Sequence, residues 1–551
     1  MNYIFTNARI FPLEQPGVSE FDSLLIESGK IKFLGSLSDC KIQSKNHFEI
    51  INLQGKALLP AFTDCHTHFT DYAKQFIQLD LSGCRSINEV KQRLETYRET
   101  HSKLTEWVLG GGWDINIIDN PQKIRKELLD EFFPDTPVAL YSKDFHSRWC
   151  NSLALKIAGI TENTSDPEGG HIERDNSGKL TGILQETASE WLDRFIIPPS
   201  KDETKQCLIQ ATEKVHSLGL GTIHSMELPL SGEILEDFTR EYKKLRVIRH
   251  FYQDELQTMI SQKRYSGEGD DWFHLGGLKL FADGSLGSQT AAIFSEYPDS
   301  PDFHGILRLS EEEMYRLTLS ALEHSFYTLI HCIGDRAVHL AINALLRVKE
   351  EKPENHFKNR LEHIQSIREE DIPRLKACAA GCSVQPIHIA NDIPLIEKHW
   401  KTIEQEAYYF RSLIDKRIKL AFGSDAPIAP INPFYGIYSA LQRKADLNPE
   451  AKPWLPEQCL NIWEALQGYT INAAELAGID NLAGTITPRK NADLMVLEDF
   501  TKLPDEYWLE AESLLTMMGG EIVWNKLTYF IGNNLVLNKY IIGDNNEKVR
   551  F

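Results

Sequence analysis

The stretch Ala57-Leu58-Leu59-Pro60-Ala61-Phe62-Thr63-Asp64-Cys65-His66-Thr67-His68 decides the fold that we expect for this chain. It is a largely apolar run that ends in two histidines, which indicates a buried strand with polar groups at its tip. Residues i and i+2 of a strand project to one face, so His66 and His68 point to the same side. Two neutral imidazoles side by side are half of a transition-metal site. Alone, such a pair is more often two ordinary histidines, so its weight depends on the rest of the chain.

Apolar strand-like runs alternate with amphipathic helical segments through the middle of the chain, which is typical of a parallel sheet with crossover connections. The eight strand candidates are Leu58–His68, Leu218–Met226, Arg246–Tyr252, Gly276–Asp283, Tyr327–Cys332, Arg360–Ile364, Gly381–Pro386 and Ile418–Asp425. Helices are expected between or after them, for example at Glu311–His324, Asp335–Lys349 and Pro433–Lys444. Eight βα units predict an α/β protein with a (β/α)8 TIM barrel, whose chemistry gathers at the C-terminal strand ends.

The barrel domain is expected over residues 59–483, with one long interruption. The interval 70–215 is too long for a single crossover, so we interpret it as an insertion after the first strand that caps the barrel mouth. Residues 1–58 and 484–551 contain short strand-like runs separated by turn residues. Two small all-β pieces cannot each bury a core, so we expect both termini to form one small β-sandwich domain.

The composition is that of a globular enzyme and excludes several classes of partner. Of 551 residues, 42% are hydrophobic and 25% are charged, and the formal net charge of −20 argues against nucleic acid and anionic membranes as partners. No apolar run approaches the roughly 20 residues of a membrane span, and the N-terminus lacks a signal-peptide pattern. Nine scattered cysteines without a Cys-x-x-Cys motif fit reduced thiols, which predicts a cytoplasmic protein.

Ionisable residues recur in the middle or C-terminal half of five of the apolar strand segments. They are His66, His68, Lys279, His331, His363 and Asp425. Any one of them alone would more often be a satisfied core residue. Six together would leave several uncompensated polar groups in a dry barrel unless a metal binds them. The set therefore predicts a metal site at the C-terminal rim of the barrel.

These segments resemble the amidohydrolase superfamily, and most closely amidohydrolase family 3 with its N-substituted formamide deformylase-like members. The resemblance lies in Phe-Thr-Asp-Cys-His-Thr-His (62–68), Lys-Leu-Phe-Ala-Asp-Gly-Ser-Leu-Gly-Ser (279–288), His-Cys-Ile-Gly-Asp-Arg-Ala-Val (331–338), Leu-Glu-His-Ile-Gln (361–365), Phe-Gly-Ser-Asp-Ala-Pro (422–427), Ser142–Ser152, Gly484–Ile486 and Ala492–Leu494. It runs from about residue 3 to 525 in the family's order. Ala61 and Arg489 stand where the family usually has glycine, and neither removes a candidate ligand.

The resemblance implies a metal-dependent hydrolase with two divalent ions. It assigns His66 and His68 to one ion and His331 and His363 to the other, with Lys279 as a bridge after carboxylation by carbon dioxide. Nitrogen and oxygen ligands suit zinc, which we expect, although manganese, iron or cobalt would fit as well.

Lys279 has an alternative role that the sequence leaves open. A lysine ammonium has no lone pair, so it must be modified or deprotonated before it can bind a metal. If Lys279 is unmodified, it is a charge partner for Asp425 or Asp283, and the site holds one ion.

Asp425 is the candidate general acid and base. A divalent metal lowers the pKa of bound water from 15.7 to about 7 and polarises a carbonyl. Asp425 would ligate the metal or take the proton of the attacking water and return it to the leaving nitrogen. A helix N-cap ahead of Pro427 is the structural alternative, and both roles can hold at once.

Four further residues are candidate substrate contacts: His146, Trp113, Gln385 and His388. Gln385 and His388 lie at and after the end of the seventh strand. His146 is equally a surface or cap-packing histidine, and Trp113 beside glycines is as often a packing residue. His224, near the end of the second strand, is a candidate neighbour of the ligands.

The leading hypothesis is hydrolysis of a carbon–nitrogen bond in a small-molecule amide, an N-formyl compound or a cyclic amide. A mononuclear deacylase or deaminase on the same scaffold is the alternative enzyme, and a non-catalytic amidohydrolase-like scaffold protein is the alternative from another class. Substrate specificity is expected to lie in the loops and the 70–215 insertion. A homodimer is expected only from the commonest symmetry.

Overall fold

The computed structural model describes residues 1–101, 106–115, 117–143, 146–298, 300–354, 358–378, 380–527, 529–531 and 534–536. Its contacts divide the chain into two compact units. The first comprises Met1–Phe69 and Thr212–Phe551, and the second is Thr70–Ala211. Among the described residues, no helix combines the length and apolar character that crossing a membrane requires.

The chain begins with short strands and reaches the barrel at its seventh strand. These elements are β1 (Tyr3–Thr6), β2 (Arg9–Ile10), β3 (Ser23–Glu27), β4 (Lys30–Gly35), α1 (Leu37–Gln43), β5 (Glu49–Asn52), β6 (Ala57–Pro60) and β7 (Phe62–Thr67). Ser36 and Asp39 form a capping box that satisfies the first N–H groups of α1. Strands β4–β3–β1–β5, in this order, form a four-stranded sheet.

The next elements form the second unit and its borders. They are α2 (Phe69–Lys74), β8 (Leu79–Asp80), α3 (Ile87–His101), β9 (Val108–Trp113), α4 (Lys126–Phe132), β10 (Val138–Ser142), β11 (Ser147–Cys150), α5 (Ser152–Ile157), β12 (Gly170–Arg174), β13 (Leu180–Glu186), α6 (Thr187–Glu190) and α7 (Lys201–Ser217). Its six strands form one sheet in the order β12–β13–β11–β10–β9–β8. The second unit therefore has a sheet and a hydrophobic core of its own.

Trp149 provides a test of how much that core stabilises the second unit. The side chain is fully buried, and its ring lies 6.2 Å from the ring of Trp113. Trp149→Ala is expected to lower the free energy of unfolding of this unit by about 3–5 kcal/mol, because the cavity cannot fully collapse. Urea unfolding followed by hydrogen exchange in residues 70–211 measures the loss. The half-buried Trp191 is the control; equal losses in both variants would contradict the expectation.

The remaining elements return to the first unit. The strands are β14 (Leu220–Glu227), β15 (Arg246–Tyr252), β16 (Phe273–Phe281), β17 (Thr328–Cys332), β18 (Arg360–His363), β19 (Gly381–Val384), β20 (Leu420–Phe422), β21 (Leu494–Leu497), β22 (Leu515–Met518), β23 (Glu521–Asn525), β24 (Tyr529–Ile531) and β25 (Asn534–Val536). The helices are α8 (Pro229–Tyr242), α9 (Leu256–Ser261), α10 (Glu311–Glu323), α11 (Asp335–Glu351), α12 (Ile372–Cys378), α13 (His388–His399), α14 (Phe410–Asp415), α15 (Pro433–Gln442), α16 (Ile462–Gly468), α17 (Ile471–Ala477) and α18 (Tyr507–Glu510).

Eight parallel strands form the barrel sheet that positions the candidate site. Their order is β20–β19–β18–β17–β16–β15–β14–β7, and every pair of neighbours is parallel. Every residue of β7 and of β14 is buried, as expected for strands covered on both faces. Thr67 and Ala426 form a parallel bridge between the two edges. The result is a nearly closed barrel, consistent with the predicted TIM barrel, in which all eight predicted strands are present.

Strands from both ends of the chain pair beside the barrel within the first unit. Strand β21 runs antiparallel to β6, with Leu494 opposite Pro60. The five-stranded sheet has the order β2–β6–β21–β22–β23, and its buried side chains share a hydrophobic cluster with those of the four-stranded sheet. Contacts group these sheets with the barrel. The separate terminal domain at 1–58 and 484–551 therefore stays a prediction.

Candidate metal centre

The six residues predicted as ligands all lie in or just beyond the C-terminal halves of barrel strands. His66 is in β7 and His68 follows it, while Lys279 is in β16, His331 in β17 and His363 at the end of β18. Asp425 lies three residues after β20. The C-terminal ends of parallel barrel strands meet at one rim.

His66 is held as a neutral imidazole with a defined tautomer. Its Nδ1 lies 2.5 Å from Oε2 of Glu362, so the Nδ1 hydrogen is donated to that carboxylate. Its Nε2 lies 3.4 Å from Nζ of Lys279 and 3.5 Å from Oδ1 of Asp425. Burial, followed by the charge of Lys279, lowers the pKa of His66 to about 4. The lone pair therefore remains on Nε2, where a metal can use it.

His363 has the same arrangement with a different partner. Its Nδ1 lies 2.8 Å from Oε1 of Gln385, which accepts the hydrogen and leaves the lone pair on Nε2. Burial, followed by the neighbouring His331, lowers the pKa of His363 well below its usual value. The rings of His363 and His66 are 4.7 Å apart.

His331 and His68 are each fixed by a backbone carbonyl. Nε2 of His331 lies 3.0 Å from the oxygen of Gly284, which leaves Nδ1 as its lone-pair atom. Nδ1 of His68 lies 3.2 Å from the oxygen of Met226, and its Nε2 is 3.3 Å from Oδ1 of Asp425. Burial lowers the pKa of His331 to about 3. In His66, His363 and His331, an oxygen acceptor on one nitrogen directs the lone pair to the other, whereas both nitrogens of His68 face an oxygen atom.

Two of the candidate ligands lie on backbone in the left-handed region. The φ angles are +74° at His363 and +62° at Asp425, and Ile364 follows at +46°. Such angles are uncommon for residues with a Cβ and cluster at functional sites. In a regular strand, Glu362 and His363 would project to opposite faces. Here both contact the site, since Glu362 reaches His66 and the ring of His363 lies 4.5 Å from that of His331.

Burial acts on the pKa values of both Asp425 and Lys279. Burial acts to raise the pKa of Asp425, but His66 and His68 hold it well below its usual value, so the group is ionised. Burial lowers the pKa of Lys279 to about 8. The neutral fraction of the Lys279 amine near neutral pH is therefore larger than that of an exposed lysine, although most of it stays protonated.

The donors that come together fit a divalent metal ion. One ligand atom from each of His66, His363 and Asp425 lies within 4.8 Å of the others, and all three residues are buried. Two imidazole nitrogens and a carboxylate oxygen are a donor set that zinc and related divalent ions accept. This group combines Asp425 with one histidine from each of the two pairs that were predicted to bind separate ions.

Two of the predicted substrate contacts lie beside this set. Oε1 of Gln385 orients His363, and its Nε2 has no hydrogen-bond partner among the described residues. Nε2 of His388, at the start of α13, lies 4.0 Å from Oδ2 of Asp425 and likewise has no hydrogen-bond partner there. Gln385 therefore has an orienting contact that the sequence did not predict.

The other two substrate candidates belong to the second unit. Trp113 is 3% exposed and its indole N–H is donated to the oxygen of Leu140, which fits the packing alternative, and its predicted contact with a substrate stays a prediction. His146 is exposed, and its Nδ1 lies 3.1 Å from Glu186. Its predicted contact with a substrate stays a prediction.

Several residues of the site were not predicted from the sequence. Glu362 and Arg360 are fully buried below His66, and the carboxylate of Asp64 accepts the N–H groups of His66 and Ser424. His224, predicted as a neighbour of the ligands, contacts Arg360. The two-residue spacing of Arg360 and Glu362 in a strand is the same signal as that of His66 and His68, so it was available from the sequence.

Asp283, one of the two alternative charge partners of an unmodified Lys279, contacts backbone N–H groups. Its carboxylate accepts the N–H groups of Ala292, Ile333 and Gly334. It therefore ties together the segments that follow β16 and β17. Burial raises its pKa to about 7.

Comparison with known proteins agrees with this donor chemistry. The model of the amidohydrolase family matches residues 49–524. The chain belongs to the amidohydrolase family. It is similar to the putative amidohydrolase YtcJ of Bacillus subtilis, with 30% identity over 96% of this chain and 100% of the relative. It is also similar to the N-substituted formamide deformylase of Arthrobacter pascens, with 24% identity over 86% of this chain and 90% of the relative.

A solved structure supports the fold of this amidohydrolase-family chain along most of its length. An uncharacterized metal-dependent hydrolase from Pyrococcus furiosus superposes with a TM-score of 0.76 and 25% identity. The superposition covers 90% of this chain and 99% of that structure. The chain is thus a metal-dependent hydrolase of the amidohydrolase family.

Proposed function

We propose that this chain hydrolyses the carbon–nitrogen bond of a non-peptide amide at a divalent metal site held by His66, His363 and Asp425. The observation that carries the proposal is the grouping of these three donors within 4.8 Å. Glu362 and Gln385 accept hydrogen bonds from the Nδ1 atoms of the two histidines, so the lone pairs of both Nε2 atoms can bind a metal ion. Zinc is the ion that we propose for this donor set.

We further propose that the full site holds two ions bridged by a carboxylated Lys279. His66 and His68 would serve one ion, and His331 and His363 the other. Carboxylation begins with attack of a neutral amine on carbon dioxide, and the lowered pKa of Lys279 supplies that amine. Loss of a proton from the nitrogen to solvent then gives a carbamate, whose two oxygens could each bind an ion.

The residues of the site account for the proton transfers of amide hydrolysis. When bound, the metal supplies Lewis acidity, which polarises the substrate carbonyl and makes water a stronger nucleophile at neutral pH. Asp425 is ionised, so it accepts the proton of the attacking water and returns it to the leaving nitrogen. Cleavage of the carbon–nitrogen bond then gives a carboxylate and an amine, which are formate and an amine for an N-formyl compound.

Unpartnered polar atoms on residues that contact His363, His388 or Asp425 favour a neutral amide as the substrate. Oε1 of Gln365, Nε2 of Gln385 and Nε2 of His388 are buried and have no hydrogen-bond partner among the described residues. An amide carbonyl needs donors and an amide N–H needs an acceptor, and these atoms offer both. The similarity to an N-substituted formamide deformylase makes N-formyl amines the first class to test.

One observation favours a second candidate, a mononuclear deacylase or deaminase. The donor grouping takes one histidine from each of the two pairs expected for a two-ion site. A single ion bound by His66, His363 and Asp425 would leave Lys279 unmodified. Metal counting separates the two candidates.

The test is metal analysis of protein purified without chelator, followed by assay of N-formyl and N-acyl amines. We expect about two ions per chain for the bridged site and about one for the mononuclear site. His363→Ala is expected to reduce both the metal content and the hydrolysis to background. His339→Ala is the control, because His339 pairs with Asp371 away from the site. Failure to bind zinc or manganese on reconstitution would contradict the proposed function.

A further inference from the structure

A completely buried ion pair contacts the candidate metal centre through His66. Arg360 and Glu362 are both in β18, and neither side chain is exposed to solvent. Nε of Arg360 donates to Oε1 of Glu362 at 2.8 Å, and its Nη2 donates to the oxygen of Cys65 at 2.8 Å. Residues two apart in a strand share a face, so one strand delivers both charges to the barrel interior.

The second oxygen of Glu362 connects this pair to a metal-ligand candidate. Oε2 accepts the Nδ1 hydrogen of His66 at 2.5 Å, while Oε1 accepts from Arg360. Arg360 is itself placed by the strands around it, since its Nη1 lies 3.2 Å from Nδ1 of His224. The connected groups are therefore guanidinium, carboxylate and imidazole, in that order.

Folding alone does not explain why such a pair is present. Removing two charges from water is costly, and well-packed apolar residues in place of a buried ion pair are often neutral or stabilising. A carboxylate on the far nitrogen of an imidazole, in contrast, fixes the tautomer and raises the donor strength of the near nitrogen. The contact with His66 is of this kind.

We propose that Arg360 and Glu362 are positioning residues that set the metal affinity of the site through His66. This inference rests on the proposed function, because it assumes that His66 binds the metal. Glu362 keeps the hydrogen of His66 on Nδ1, so Nε2 always presents its lone pair. Arg360 fixes the Glu362 carboxylate in place and balances its charge. The pair therefore acts on the ion without touching it or the substrate.

The matched control is a second buried ion pair in the same barrel unit. Arg249 and Glu255 are 2.6 Å apart, and their side chains are 1% and 7% exposed. Neither residue is among the candidate ligands or their hydrogen-bond partners described above. If removing any buried ion pair weakens Zn²⁺ binding, substitution of either pair lowers the affinity. If the effect passes through His66, only substitution of Arg360 and Glu362 lowers it.

The experiment compares Arg360→Met/Glu362→Leu with Arg249→Met/Glu255→Leu in the full chain. Zn²⁺ affinity is measured by competition with a chelator, and circular dichroism and the Tm of the metal-free proteins report folding. We expect Zn²⁺ binding to weaken about 10–100-fold in the first variant and to change less than about threefold in the second. Equal Zn²⁺ affinities in both variants and the wild type would overturn the proposal.

A conservative variant covers the case in which the double variant does not fold. Glu362→Gln keeps the shape and one carbonyl oxygen but removes the charge that His66 faces. It is expected to lie between the wild type and the double variant in Zn²⁺ affinity, and wild-type affinity in folded Glu362→Gln would overturn the proposal. A wild-type protein that binds no Zn²⁺ would instead contradict the proposed function, so the two failures are distinguishable.

Discussion

Asp425→Asn is expected to lower kcat for amide hydrolysis by about 10²–10⁴-fold, the range typical for loss of a general acid–base group. Asparagine keeps the shape of the side chain and one oxygen, but it cannot accept the proton of the attacking water. The ionised carboxylate lies 3.3 Å from Nε2 of His68 and 3.5 Å from Nε2 of His66. Steady-state kinetics on an N-formyl amine, beside the metal content of the variant, is the measurement.

The two readouts separate the two roles of Asp425. A fall in kcat with unchanged metal content identifies proton transfer, and a fall in both identifies a ligand as well. Asp335→Asn is the matched control, because Asp335 is a buried carboxylate that accepts the N–H groups of Phe294 and Arg336 at the start of α11. Asp425→Asn activity within about threefold of the wild type would contradict the assignment.

Lys279→Ala is expected to reduce the metal content from about two ions per chain to one or none and to abolish hydrolysis. The reason is that alanine cannot form the carbamate that would bridge the ions. Labelling the wild type with ¹³C carbon dioxide is expected to give a carbamate carbon signal that the variant lacks. Small carboxylic acids are expected to restore part of the activity, since they offer two oxygens in the vacated space.

A buried lysine outside the site controls for the loss of a buried side chain. Lys444 is 9% exposed and donates to the oxygen of Pro449. Lys444→Ala is expected to keep the wild-type metal content. Two ions in Lys279→Ala would contradict the bridging role. One ion and no carbamate signal in the wild type would favour the mononuclear candidate.

The hydrogen-bond partners of the histidines allow their donor strength to be changed without removing a candidate ligand. The candidate ligand histidines are held by Glu362, Gln385 and two backbone carbonyls. Substitutions at Glu362 or Gln385 therefore change the donor strength of an imidazole while the ligand itself remains. Such variants test the electronic contribution of the protein separately from ligand count.

The barrel and the residues at its rim could be predicted from the amino-acid sequence alone. Apolar runs identify all eight barrel strands despite the long insertion after the first, because strands covered on both faces exclude polar residues along most of their length. The ends of parallel strands meet at one rim, so the ionisable residues at those ends are expected to lie together. Chain pattern and strand geometry are sufficient for these predictions.

The tertiary structure determines which atoms of these residues face one another. Regular alternation places Glu362 and His363 on opposite faces, but the positive φ of +74° at His363 brings both to the site. The oxygen acceptors that leave the lone pairs of His66 and His363 on Nε2 lie elsewhere in the chain: Glu362 is 296 residues from His66, and Gln385 is 22 residues from His363. The packing of Trp113 against Trp149 is likewise a contact that the neighbours of Trp113 along the chain do not show. Local pattern fixes the face of a strand, whereas backbone bends and long-range contacts fix the direction of each side chain.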